Sequence, residues 1–104
     1  MPNFRLRHPA DPTARAIYGH DPERGGPYLD VVCGGRKLTW DAADLGEDPI
    51  VGALVVLAEF SFLGGSEVDE AVVWLDRPSC WPGRPPRRVQ RVLRIVRKLE
   101  RAGA

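Results

Sequence analysis

Little in this chain invites covalent or metal chemistry. Its 104 residues hold only two cysteines, two histidines and one methionine. Cys33 and Cys80 are too few for a disulfide scaffold or a metal knuckle. They are read as free thiols, one in a strand and one in a loop, although sequence alone leaves a single bridge between them open. His8 and His20 stand apart from each other and from both cysteines. The chain has no G-x-S-x-G elbow, no glycine loop of the phosphate-cradling kind and no paired-histidine spacing. In "GHDPERGG", Asp21, Glu23 and Arg24 lie beside His20, but Asp-Pro and Gly-Gly are turn chemistry. The expectation is a protein without enzymatic activity, cofactor or metal.

Long apolar runs are missing as well. The longest, Ile50 to Ala58, ends at Glu59, well short of the roughly 20 residues that a membrane span requires. The opening "MPNFRLRHPADP" carries three prolines and no apolar stretch of the signal-peptide type. No membrane association is expected, and the location read from sequence is the cytoplasm. The length, with 43% hydrophobic and 28% charged residues, suits one small domain over 1–104 with a modest core.

Acids are scarce where bases are dense. Residues 1–76 carry 6 Lys or Arg against 13 Asp or Glu, and residues 77–104 carry 9 against 1, which the overall balance of +1 conceals. Such a division signals an interaction face, or else an acidic body and a basic helix that complement one another within one fold.

Local signals predict an α+β protein: a small antiparallel hairpin or sheet followed by about three helices, the last amphipathic and arginine-rich. Residues 1–27 are turn-rich and are read as loop with short extended pieces, including an edge strand in which Phe4 and Leu6 alternate with Arg5 and Arg7. Residues 28–41, "YLDVVC-GG-RKLTW" and its exit, form a hairpin about Gly34-Gly35. Its register sets Cys33 against Arg36, Val31 against Leu38 and Leu29 against Trp40, so that Leu29, Val31, Leu38 and Trp40 share one face. Two helices are expected within 49–76. The first is capped by Asp48, starts at Pro49 and ends at Gly64-Gly65, apolar on nearly every side. The second is capped by Ser66 with Asp69 completing a box, and Val68, Ala71, Val72 and Leu75 form its stripe. Residues 77–85 read as a proline-rich loop, and 86–102 as the basic helix.

Steps of about 100° per residue separate that last helix into two faces. Val89, Val92, Leu93, Val96 and Leu99 fall on one side. Arg87, Arg91, Arg94, Lys98 and Arg101 fall on the other, with Arg88 and Arg97 flanking and Ile95 at the border. Arginine is a good helix former whose stem covers apolar surface, so a solvated face accounts for part of the pattern. Yet like charges four residues apart repel, and Arg87–Arg91, Arg94–Lys98 and Arg97–Arg101 accumulate repulsion that a polyanion or acidic surface would relieve.

The segment "VQRVLRIVRKLERAGA" resembles the recognition helix and exit of winged-helix, or helix-turn-helix, regulators. That resemblance implies that Arg87, Arg88, Arg91 and Arg94 face a nucleic-acid groove while Val89, Val92, Val96 and Leu99 anchor the helix. The functional expectation is a small regulatory protein that binds the nucleic-acid backbone through Arg87, Arg88, Arg91, Arg94, Lys98 and Arg101. The alternative is a protein-interaction module, an inhibitor, immunity-type protein or adaptor, that uses the same helix against an acidic partner or to form a homodimer. Trp81, in "SCWPGRPP", is read as closing the edge of its own core, with stacking on a base or filling a partner's pocket as the other option.

Overall fold

A computed structural model describes residues 3–78 and 80–103. The first two residues of the turn-rich segment, Ser79 of the proline-rich connection and Ala104 lie outside the described residues. Four strands, β1 (Phe4–Arg7), β2 (Arg15–Asp21), β3 (Gly26–Cys33) and β4 (Arg36–Trp40), form an antiparallel sheet in sequential order. Helices α1 (Ala42–Leu45), α2 (Pro49–Glu59), α3 (Gly65–Leu75) and α4 (Arg87–Ala102) follow. The class is therefore α+β, as the sequence led us to expect.

The hairpin has the register read from its glycines: Cys33 pairs with Arg36, Val31 with Leu38 and Leu29 with Trp40. Gly34 and Gly35 take φ of 59° and 76°, the two positive values that a tight two-residue turn demands and that only glycine adopts freely. Leu29 and Val31 are buried, but Leu38 on the same face is exposed because β4 is an edge strand.

Strand β2 corrects the reading of 1–27 as mostly loop. The prolines that suggested disorder sit at its margins: Pro9 and Pro12 before it, Pro22 in the turn after it. Between them Ala16 and Tyr18 are buried, and they oppose Val31 and Leu29 of β3. Pro27, within β3, fits a simple rule of the ladder. The His8 N–H bonds the Ala14 carbonyl beyond the β1–β2 pair. Alternation of bonded and non-bonded pairs from that point puts Pro27, opposite His20, at a non-bonded position. Its missing N–H faces the side where β4, paired only with Leu29–Cys33, does not reach.

Helix α2 begins as predicted, with Pro49 in its first turn and the Asp48 side chain accepting from the Val51 N–H at 3.3 Å. It ends at Glu59, five residues short of the glycines. Ser61 takes φ 62°, the Phe62 N–H reaches back to the Leu57 carbonyl at 2.9 Å and the Ser61 N–H to that of Ala58. That is a Schellman stop, with Phe62 and Leu57 both buried as its apolar contact. Gly64 and Gly65 instead open α3. Gly64 is the N-cap, so Ser66 lies inside the helix and not at its cap, and the Glu67 carboxylate folds into the space that a side chain at 64 would fill. His8 secures this corner. Its Nδ1 accepts from the Ala10 and Asp11 N–H groups, so Nε2 carries the proton and donates to the Phe60 carbonyl at 2.9 Å, and its ring meets Phe62 edge-on.

The outer face of the sheet carries a buried acid, Asp30. Arg24 grips it with two nitrogens at 2.9 and 3.1 Å, bonds Asp41 as well, and lies 4.1 Å above the Tyr28 ring. Thr39 donates a further bond to Asp30, and the Lys37 ammonium is 3.8 Å away. Burial on its own would raise the Asp30 carboxyl. The bonds from Arg24 and Thr39, with the charges of Arg24 and Lys37, overcome it and hold the group below its ordinary value. A lowered folded-state value means that this contribution to stability is whole above the unfolded carboxyl's pKa, about 3.9, and fades as pH falls through the folded one. Acid unfolding followed by circular dichroism is therefore expected to lose part of its pH dependence in Asp30→Asn. Arg24→Ala, which strands a buried charge, is expected to cost about 3 kcal/mol at neutral pH.

Candidate nucleic-acid interface

Helix α4 docks on the sheet and on α3 through Val89, Val92, Ile95, Val96, Leu99 and Ala102, all buried. The buried arc is rotated from the expected one: Ile95 goes into the core, and Leu93 is only half-buried. The reason is the neighbour on that flank. Strand β1 closes against the side of α4 that bears Ile95 and Ala102, whereas the Leu93 side faces only Arg84, Pro85 and Gln90. Burying five Val, Leu and Ile side chains contributes gross stabilisation of about 10 kcal/mol. The like-charge pairs three or four residues apart along the helix each cost about 0.2–0.5 kcal/mol. Packing wins by a wide margin, so the helix is held rigidly despite its charge.

Between α4 and β1 runs a groove of about 450 Å³. Its floor is Phe4, Leu6 and Ile95, and its walls carry Arg91, Arg94, Arg97, Lys98 and Arg101 of α4 with Arg5 of β1. Six cations line it, and no carboxylate does. Lys98 Nζ lies 5.7 Å from the centre of the Phe4 ring, which ties the two walls together. Along the helix, Arg87 to Arg101 covers 14 residues, or about 21 Å at 1.5 Å per residue.

The acids of the chain do not neutralise this stripe. Several are spent on caps and turns: Asp11 on Thr13, Asp21 on the turn at Glu23, Asp44 on the Asp41 N–H and Asp48 on the start of α2. Among the described residues, Arg88 is the one cation of α4 within 4.0 Å of a carboxylate. It bonds Glu70 of α3 at 2.6 Å, which raises its pKa. Of the six predicted contacts, then, Arg91, Arg94, Lys98 and Arg101 share the groove, Arg87 is exposed on the same stripe, and Arg88 is turned to the acidic helix. Of the four that the winged-helix resemblance turned toward a groove, Arg88 is the one engaged elsewhere.

Arg5 and Arg97 were not singled out from sequence. Arg97 was legible as a flank of the stripe. For Arg5 the alternation in "FRLR" gave the strand, but not the element beside which that strand would lie.

Trp81 does not close the core. It is 52% exposed, outside the groove, with the Arg77 guanidinium 4.9 Å from its ring and 3.9 Å from that of Trp74. Cys33 is half-buried at the end of β3 and Cys80 is exposed, and both thiols are free. Among the described residues, no cluster of three His, Cys, Asp or Glu could hold a metal ion, and no helix is long and apolar enough to cross a membrane. No family model, no curated protein and no solved structure matches this chain.

Proposed function

We propose that this protein is a small non-enzymatic regulator that binds nucleic acid by its phosphate backbone in the groove between α4 and β1. The observation that carries the reading is the row of six cations along that groove with no acid among them. Guanidinium groups donate paired, charge-assisted bonds to phosphate oxygens, and each contact releases condensed counterions. A stripe of about 21 Å matches roughly six nucleotides of one strand at 3.4 Å each. With arginines facing phosphates and no polar side chain aimed at a base edge, binding is independent of base sequence.

A second reading, an acidic protein surface on the same helix, draws on the hollow of about 220 Å³ beside Leu93, where an apolar side chain would seat next to Arg94 and Arg97. Titrating the protein with unrelated duplexes and single strands, and separately with poly-glutamate, separates the two. The nucleic-acid reading expects similar affinities for all oligonucleotides at low salt, near the micromolar range of non-specific binding. It fails if poly-glutamate binds and the oligonucleotides do not.

A further inference from the structure

The outer face of the sheet holds a second concentration of unpaired positive charge. Arg7 of β1 and Arg15 of β2 are direct cross-strand partners. The alternation that starts from the His8–Ala14 bond makes theirs a non-hydrogen-bonded pair, the kind in which the side chains stand closest. Like charges directly opposite one another destabilise a sheet. Neither arginine is within 4.0 Å of a carboxylate among the described residues. Both line a cavity of about 350 Å³ with Arg5, Thr13 and the backbone of the β1–β2 turn. Arg5 also lines the α4 groove, so one residue joins the two basic surfaces across the free edge of β1.

Charged side chains on an edge strand commonly serve to block edge-to-edge pairing, and that accounts for Arg5 and Arg7. It does not account for Arg15, which lies on an interior strand. A bound anion accounts for all three, because it turns the Arg7–Arg15 repulsion into a shared attraction.

We infer that the cavity framed by Arg5, Arg7, Arg15 and Thr13 is a phosphate site, and that a nucleic-acid strand leaving the α4 groove crosses the edge of β1 and places a phosphodiester there. This rests on the reading of the α4 groove as a backbone-binding surface, and it adds the direction in which the strand runs and a second anchor. Thr13 is within reach as a neutral donor, although its hydroxyl at present bonds Asp11.

The test measures oligonucleotide affinity by fluorescence anisotropy across a range of salt for wild type, Arg7→Ala/Arg15→Ala and Arg94→Ala/Lys98→Ala. Two phosphate contacts contribute about 1.8 to the slope of log affinity against log salt. The Arg7/Arg15 variant is therefore expected to lower that slope by about 2 and to weaken binding roughly tenfold to a hundredfold at low salt. Arg15→Glu, which places an opposite charge beside Arg7, is expected to raise the melting temperature of the free protein while weakening binding, two shifts that a purely structural arginine would not produce together. An Arg7/Arg15 variant with the wild-type slope, beside an Arg94/Lys98 variant whose slope falls, overturns this site and leaves the α4 groove standing. A wild-type protein that binds no oligonucleotide removes both.

Discussion

Reversing three charges in the groove, Arg91→Glu with Arg94→Glu and Lys98→Glu, is expected to abolish binding while the protein stays folded. The three side chains are exposed, so no core contact is lost, and the change mixes signs on a helix that otherwise accumulates like charge. The fold therefore keeps its melting temperature or gains slightly. Binding loses three phosphate contacts and gains three repulsions. With each contact adding about 0.9 to the salt slope, affinity at low salt falls by at least about a thousandfold. A variant that unfolds would show that the stripe packs on something, contrary to its exposure. A folded variant that still binds would take the helix out of the interface.

The second large effect concerns the scaffold, and its sign runs against helix propensity. Gly52 lies in the middle of α2, where alanine would be expected to add about 1 kcal/mol of stability. The structure predicts the reverse. A Cβ at position 52 would be driven into the carbonyl oxygen of Leu45, with that residue's carbonyl carbon 2.9 Å away and its Cα at 3.1 Å. These are backbone atoms of α1, a helix fixed on one side by Asp41 and Asp44 and on the other by the buried Leu45 side chain. They cannot rotate out of the way. Relief requires α1 to part from α2, and overpacking of this kind costs about 3 kcal/mol. Gly52→Ala is therefore expected to lower the urea midpoint, with the slope of the transition unchanged. A rise in the midpoint would show that α1 and α2 are not in this close contact.

Gly52 also illustrates what sequence could and could not convey. Read alone, it weakened the case for a helix at 49–63; the reason for a glycine there is a neighbour some seven residues back, visible only in three dimensions. Features set by local chemistry were legible. Two glycines and an alternating pattern were enough for the hairpin register, and Asp48-Pro49 marked the start of α2. The 3.6-residue period separated the two faces of α4. Features set by competition between distant parts were not. Ser61 ends α2 because Phe62 finds a buried place against Leu57, although glycine, the usual stop residue, waits three positions on. Strand β2 was hidden because its turn-forming prolines were counted as belonging to it, when they stand outside it. The stripe on α4 was readable from spacing, whereas its second wall, Arg5, depends on which element β1 packs beside. Arg88 looked like its neighbours until Glu70 was placed opposite. Charge patterning identified a face, and only packing decided which members of that face are free.

The central claim is that the free guanidinium groups of the α4–β1 groove meet phosphates. Arginine Nε–H resonances report this residue by residue in a titration with an unlabelled duplex, and Arg24, bonded through Nε to Asp41 on the outer face of the sheet, is a built-in control. The account predicts that Arg5, Arg91, Arg94, Arg97 and Arg101 shift at low salt and return as salt is raised, while Arg24 stays in place. Resonances that do not move at low salt, or shifts confined to Arg77 and Arg88, would contradict it.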